Sequence, residues 1–156
     1  MRIARAIIPA ALLISGNASA QTREEMFAVR ASVVEDCEVD ARDLDFGVYD
    51  GEEAKRAQTV ITLRCTAGAS ARVSLSAGSS GNPRNRHMQG PGTLGYKLFT
   101  DAAFRDEIIT TLPIFWLWGR DNDGQPVPFV VWGEIENGQE VPQGIYIDNI
   151  RVTVQF

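Results

Sequence analysis

His87 is the only histidine among 156 residues, so any Ser-His-Asp or Cys-His mechanism must pass through it. It stands in Arg84-Asn85-Arg86-His87-Met88, a polar stretch that reads as a surface loop, and a loop is a poor support for a base that must be held to about half an ångström. Gly90-Pro91-Gly92-Thr93-Leu94-Gly95 matches a phosphate-binding glycine pattern by letter. That chemistry needs a strand before the glycines and a helix N-terminus after them, and neither is expected here. Asp121-Asn122-Asp123-Gly124 begins like a calcium loop, but its glycine comes too early and no glutamate stands at the twelfth position. It reads as a turn. Two distant thiols and one histidine make no metal cluster, and the carboxylates are spread singly, so no acid/base pair stands out. The expectation is a protein with no catalytic residue, no metal and no cofactor.

The cysteines point to compartment instead. Residues 1–20 read as an export signal: Arg2 and Arg5 supply a positive start, Ala6 to Ile14 an apolar core too short to span a bilayer, and Ala18-Ser19-Ala20 a small-residue cleavage site. Cleavage there would leave 136 of the 156 residues, enough for one domain with a real core. Loss of the two arginines moves the formal charge from −5 to −7. An acidic product whose lysines are Lys55 and Lys97 is a poor partner for nucleic acid or anionic lipid, and no later segment is apolar enough for membrane insertion. In an oxidising compartment Cys37 and Cys65 have one possible pairing, and a disulfide closing that loop stabilises by roughly 3 to 4 kcal/mol.

The elements that would position these residues are strands. Thr59 to Cys65 alternates with Ile61, Leu63 and Cys65 in phase; Val73, Leu75 and Ala77 follow, then Leu94, Tyr96 and Leu98. Leu44-Asp45-Phe46-Gly47-Val48 also alternates. Gly78 to Gly92 reads as a long surface loop, and Asp101 to Asp106 as a single helical turn. Ile114 to Trp118 and Val127 to Trp132 are predicted to form an aromatic hairpin about the Asp121–Gly124 turn. Its aromatic residues read most simply as packing, with Trp116, Trp118 and Trp132 the candidates for an exposed face that binds sugar or a neighbouring subunit. Short strands with turn signals every ten to fifteen residues or so argue for an all-β, antiparallel, immunoglobulin-like sandwich.

The two ends of that sandwich carry the strongest signal. Tyr146, Ile150, Val152, Val154 and Phe156 share one face at period two, in a strand at which the sequence stops and whose apolar edge needs a cover. Behind a polar stretch near the start, Phe27, Val29, Ala31 and Val33 repeat the alternation. One chain thus offers an uncovered edge and a loose strand.

Several segments together resemble the spore coat protein U-type domain, the family that includes subunits of archaic chaperone-usher pili. They are Phe27 to Val33 ahead of Cys37, Leu44-Asp45-Phe46-Gly47, Cys65-Thr66, Arg86-His87-Met88, Leu94-Gly95-Tyr96-Lys97-Leu98-Phe99-Thr100-Asp101, and Gly138-Gln139, Gly144 to Asp148 and Val152 to Phe156 at the end. The resemblance implies an incomplete immunoglobulin fold that lacks its final strand and so leaves an apolar acceptor groove. It also implies a periplasmic chaperone that fills the groove first, and an outer-membrane usher at which the N-terminal extension of a neighbouring pilus subunit replaces it. On this reading residues 1–20 are the signal peptide, 21–34 the donor-strand extension and 35–156 the sandwich.

The function expected is a non-enzymatic structural subunit of a surface fibre, exported to the periplasm and then to the cell surface, supporting adhesion and biofilm formation. A spore or cell-surface coat protein that never joins a pilus is one alternative, and a secreted carbohydrate-binding module using Trp116, Trp118 and Trp132 is another. A tip adhesin is disfavoured because a second domain does not fit in 136 residues.

Overall fold

The computed structural model describes residues 22–156, so the export signal read over residues 1–20 lies outside the described residues. Residues 22–36 form no strand or helix, and Phe27 and Val29 are exposed (87% and 85%), as is Val33. Among the described residues nine strands follow: β1 (Cys37–Ala41), β2 (Lys55–Cys65), β3 (Ala71–Leu75), β4 (His87–Gln89), β5 (Thr93–Gly95), β6 (Lys97–Phe99), β7 (Phe115–Leu117), β8 (Val127–Ile135) and β9 (Val152–Gln155). They build an antiparallel four-stranded sheet in the order β1-β2-β8-β6, a three-stranded sheet β7-β3-β9, and the hairpin β4-β5.

Alternation decides the core. Ile61, Leu63 and Cys65 of β2 and Val131 and Ile135 of β8 turn inward from one sheet, and Val73, Leu75 and Leu117 from the other. The result is an all-β, immunoglobulin-like antiparallel sandwich. Two clusters fill it. One groups Ile61, Leu75, Tyr96, Leu98 and Val131, and the other groups Leu63, Cys65, Val73 and Leu117. Cys37 stands opposite Cys65 in the β1–β2 ladder, with Cα atoms 4.1 Å apart and the sulfurs bonded. The bridge therefore ties an edge strand to the centre of its sheet.

Several expectations fail locally. Leu44 to Val48 forms no strand, because the Asp45 carboxylate accepts the Gly47 N–H (2.8 Å) and Gly47 turns to positive φ. Leu44 and Phe46 instead lie over Gly133, where a Cβ would stand 2.9 Å from Leu44 Cδ1 and 2.8 Å from Phe46 Cζ. Asp101 to Asp106 makes one i→i+3 turn, in which Phe104 donates its N–H to the Asp101 carbonyl (3.2 Å), and does not go on as a helix. The Asp101 carboxylate accepts the N–H groups of Arg105 and Asp106, and Phe104 holds φ 56° between them. The aromatic hairpin does not form either: β7 pairs with β3 in one sheet, whereas β8 pairs with β2 and β6 in the other. The Asp121–Gly124 turn crosses between sheets because buried Asn122 donates to the carbonyls of Thr66 (2.7 Å) and Ala69 (2.9 Å) and so is held to the β2–β3 connection.

Candidate functional site

Among the described residues β1 is bonded only to β2 and β9 only to β3, so each presents a backbone edge that no described strand pairs. Their directions follow from the core. β1 runs from the Cys65 level to the Ile61 level, and β9 from the Leu75 level to the Arg72 level. Ile61 and Leu75 share one cluster, whereas Cys65 and Val73 share the other, so β1 and β9 run in opposite directions along the same side of the sandwich. A groove of about 560 Å³ opens at the end of that side where β1 finishes and β9 begins. Its walls are Ala41–Phe46 and Tyr146–Ile150 with Val152, and its floor is apolar, made by Ile61, Leu75, Leu98 and Val131. Val39 shares the inward face of β1 with Cys37 and stands opposite fully buried Leu63, yet it is 40% exposed.

The C-terminal wall is shorter as a strand than the alternation predicts. Pairing with β3 begins at Val152, and Ile147 makes one isolated bridge to Gln89. Between them the Asp148 carboxylate folds back to accept the N–H and hydroxyl of Ser79 (2.7 and 2.6 Å), the N–H of Asn149 (2.8 Å) and the hydroxyl of Tyr96 (2.6 Å). Tyr146 donates its hydroxyl to the Pro142 carbonyl (2.7 Å) and, with Ile150, packs half-buried against the core. Val152 lines the groove and Val154 packs on the Leu63 cluster, while Phe156 is exposed.

The electrostatics centre on that clamp. Burial would raise the Asp148 carboxyl, but the hydrogen bonds from Ser79 and Tyr96 outweigh it and leave the group below the ordinary carboxylate range. Burial, then the bond to Asp148, pushes the Tyr96 hydroxyl well above the usual tyrosine value. Arg86, read from the sequence as part of a surface loop, is 3% exposed and donates to the carbonyls of Pro83 (2.7 Å), Ser76 (3.1 Å) and Ile108. Burial lowers its basicity, while Tyr96, Glu107 and Asp148 oppose that shift. Gln139 mimics a strand partner for Gly95, accepting its N–H (2.8 Å) and donating to its carbonyl (2.9 Å). These polar residues escaped the sequence reading because Gly/Pro/Asn-rich surroundings carry no period. The resemblance through Arg86-His87-Met88, Gly138-Gln139 and Tyr146-Ile147-Asp148 was the one signal available.

His87 opens β4, opposite Gly95, and its Nδ1 lies 3.3 Å from the Asn85 carbonyl. Gly90 donates its N–H to the Gly92 carbonyl (3.0 Å), so the glycine pattern is the turn of the β4–β5 hairpin. The tryptophans do not come together. Trp116 and Trp118 are exposed (49% and 56%), Trp116 on the outer face of the three-stranded sheet, opposite to inward Leu117. Trp132 alternates with inward Val131 on the outer face of the other sheet and packs edge-on to Phe104. Among the described residues no group of three His, Cys, Asp or Glu side chains converges, and no helix is long and apolar enough to cross a membrane.

A family model of the Spore Coat Protein U domain matches residues 24–153. The chain belongs to that family. The fold of this Spore Coat Protein U domain is also similar, with a TM-score of 0.58 and 24% identity, to a chain in the CsuC-CsuE chaperone-tip adhesion subunit pre-assembly complex from archaic chaperone-usher Csu pili of Acinetobacter baumannii. The match covers 80% of this chain and 40% of that one. None of the curated proteins compared matches the Spore Coat Protein U domain chain described here.

Proposed function

We propose that this protein is a non-enzymatic structural subunit of an archaic chaperone-usher pilus, polymerised by donor-strand exchange into a surface fibre that supports adhesion and biofilm formation. The groove between β1 and β9 carries the reading: it has the position and the two free edges that one added strand would satisfy. The donor is the segment with Phe27, Val29, Ala31 and Val33, and the acceptor surface is formed from Tyr146, Ile150, Val152, Val154 and Phe156. A periplasmic chaperone occupies the groove before assembly, and the outer-membrane usher is where a neighbouring subunit takes it over. Burying Phe27, Val29 and Val33 is worth roughly 5 to 9 kcal/mol gross.

On this reading the donor comes from another molecule. A strand antiparallel to β9 runs parallel to β1, from the Cys65 end toward Leu44. Seven residues in that direction put Val33 about 20 Å along the groove, whereas the four steps from Val33 back to Cys37 reach about 14 Å at most. The chain at this point is held at the Cys65 end, where the Asp36 carbonyl accepts the Thr66 N–H (2.9 Å) and the Val34 carbonyl the Thr66 hydroxyl (3.2 Å).

Deleting Gln21 to Val33 tests this. The truncated domain should still accept a synthetic Met26–Val34 peptide, with a rise in melting temperature, because a ligand of the native state alone must stabilise it. The full-length protein should form ladders that survive cold detergent and collapse on boiling, and the truncated one should not. Unchanged assembly after truncation would make the segment irrelevant and defeat the proposal.

A further inference from the structure

Donor-strand exchange leaves open which donor fits, and the groove's rim bears on that choice. Cys37 and Val39 face inward, so Glu38 and Asp40 project from the outer face of β1, and Asp43 and Asp45 follow at the groove's mouth. Among these positions Arg42 is the single base; it follows Asp40 on the outward face, where its N–H donates to the Val60 carbonyl (3.2 Å), and four acids against one base leave the rim a net charge of −3. Glu38 stands across from Arg64, but Asp40 stands across from Thr62. Among the described residues no Lys or Arg nitrogen lies within 4.0 Å of any of these four carboxylates. On the opposite wall the Asp148 carboxylate is already taken up by Ser79 and Tyr96. The negative charge without an ion-pair partner therefore lies along the β1 side.

In the donor segment, Arg30 is the only charge between Glu25 and Glu35. With Phe27, Val29, Ala31 and Val33 inward, Arg30 projects outward from the middle of the strand. A strand lying parallel to β1 at about 4.8 Å sets its outward residues beside the outward residues of β1. We infer that the groove selects a second copy of this chain as donor by seating Arg30 against the Asp40–Asp43 rim. This rests on the donor-strand reading above and adds to it a basis for self-recognition. The apolar positions supply adhesion common to many donors, while the central arginine against an unneutralised rim discriminates among them.

The test uses the full chain diluted from denaturant, at low protein concentration, into labelled Met26–Val34 peptide. The wild-type peptide should bind, Val29→Asp should abolish binding, and Arg30→Glu should weaken it by about tenfold at low salt. Near 1 M salt, where charges are screened beyond about 3 Å, that gap should close. A chain carrying Asp40→Lys and Asp43→Lys should prefer the Arg30→Glu peptide. Equal binding of wild-type and Arg30→Glu peptides at low salt, with Val29→Asp still inactive, would overturn the charge selection and leave the groove reading standing. Failure of the wild-type peptide itself would remove both. Because the peptide substitutions leave the acceptor untouched, a misfolded double-lysine chain would not rescue the idea.

Discussion

Val154→Asp and Thr153→Asp place the same charge on adjacent residues of β9 and should differ sharply in cost. Val154 stands opposite Val73 and packs, partly buried, on the cluster of Leu63, Cys65, Ala71 and Leu117, which has no side-chain hydrogen-bond donor. Replacing it forfeits about 1 kcal/mol of apolar burial, since the site is only partly covered. The carboxylate must then either shift its pKa or stay unpaired, at 1.36 kcal/mol per pKa unit, for a total near 3 kcal/mol. Thr153 stands opposite Ser74 on the exposed face, where a substitution costs within about 0.5 kcal/mol. For a domain of this size 3 kcal/mol lowers the melting temperature by roughly 10 °C, so calorimetry of the two variants separates them easily. Equal losses would mean that the face of β9 toward the core is wrongly identified, and with it the wall of the groove.

Cys37→Ser should cost about 2 to 5 kcal/mol in urea unfolding of the exported protein, and alkylation of native wild-type protein should find no free thiol. The Asp148 clamp predicts both limbs of a pH profile. Its folded carboxyl lies below the unfolded value near 3.9, so its contribution is present above that pH and is lost as pH falls through the depressed folded value. Asp148→Asn should flatten this acid limb. Tyr96 has a raised folded pKa, so its contribution is complete below the unfolded value near 10 and declines at more alkaline pH. Tyr96→Phe should remove that decline; an unchanged alkaline limb would assign it to other groups.

Period two in Thr59–Cys65, Val73–Leu75 and Leu94–Leu98 was enough to mark inward faces, because burial on one side of a strand imposes alternation whatever the strand pairs with. The cysteines had one possible partner each, so their pairing was legible too. What alternation does not encode is which sheet a strand joins. Phe115–Leu117 and Val127–Ile135 look like a hairpin from their spacing, yet they pair into opposite sheets and separate Trp116 from Trp132, with the connection between them held by Asn122 on the carbonyls of Thr66 and Ala69. Leu44 to Val48 alternates and still forms no ladder, since a strand needs a partner edge as well as a pattern. The groove is a tertiary feature for the same reason. Val39 is an ordinary inward valine by sequence, and its 40% exposure comes from its place on an edge strand. Arg86 and Asp148 are held largely by hydrogen bonds with residues far along the chain, Ile108 for the one and Ser79 and Tyr96 for the other, and contacts of that kind leave no local period to read.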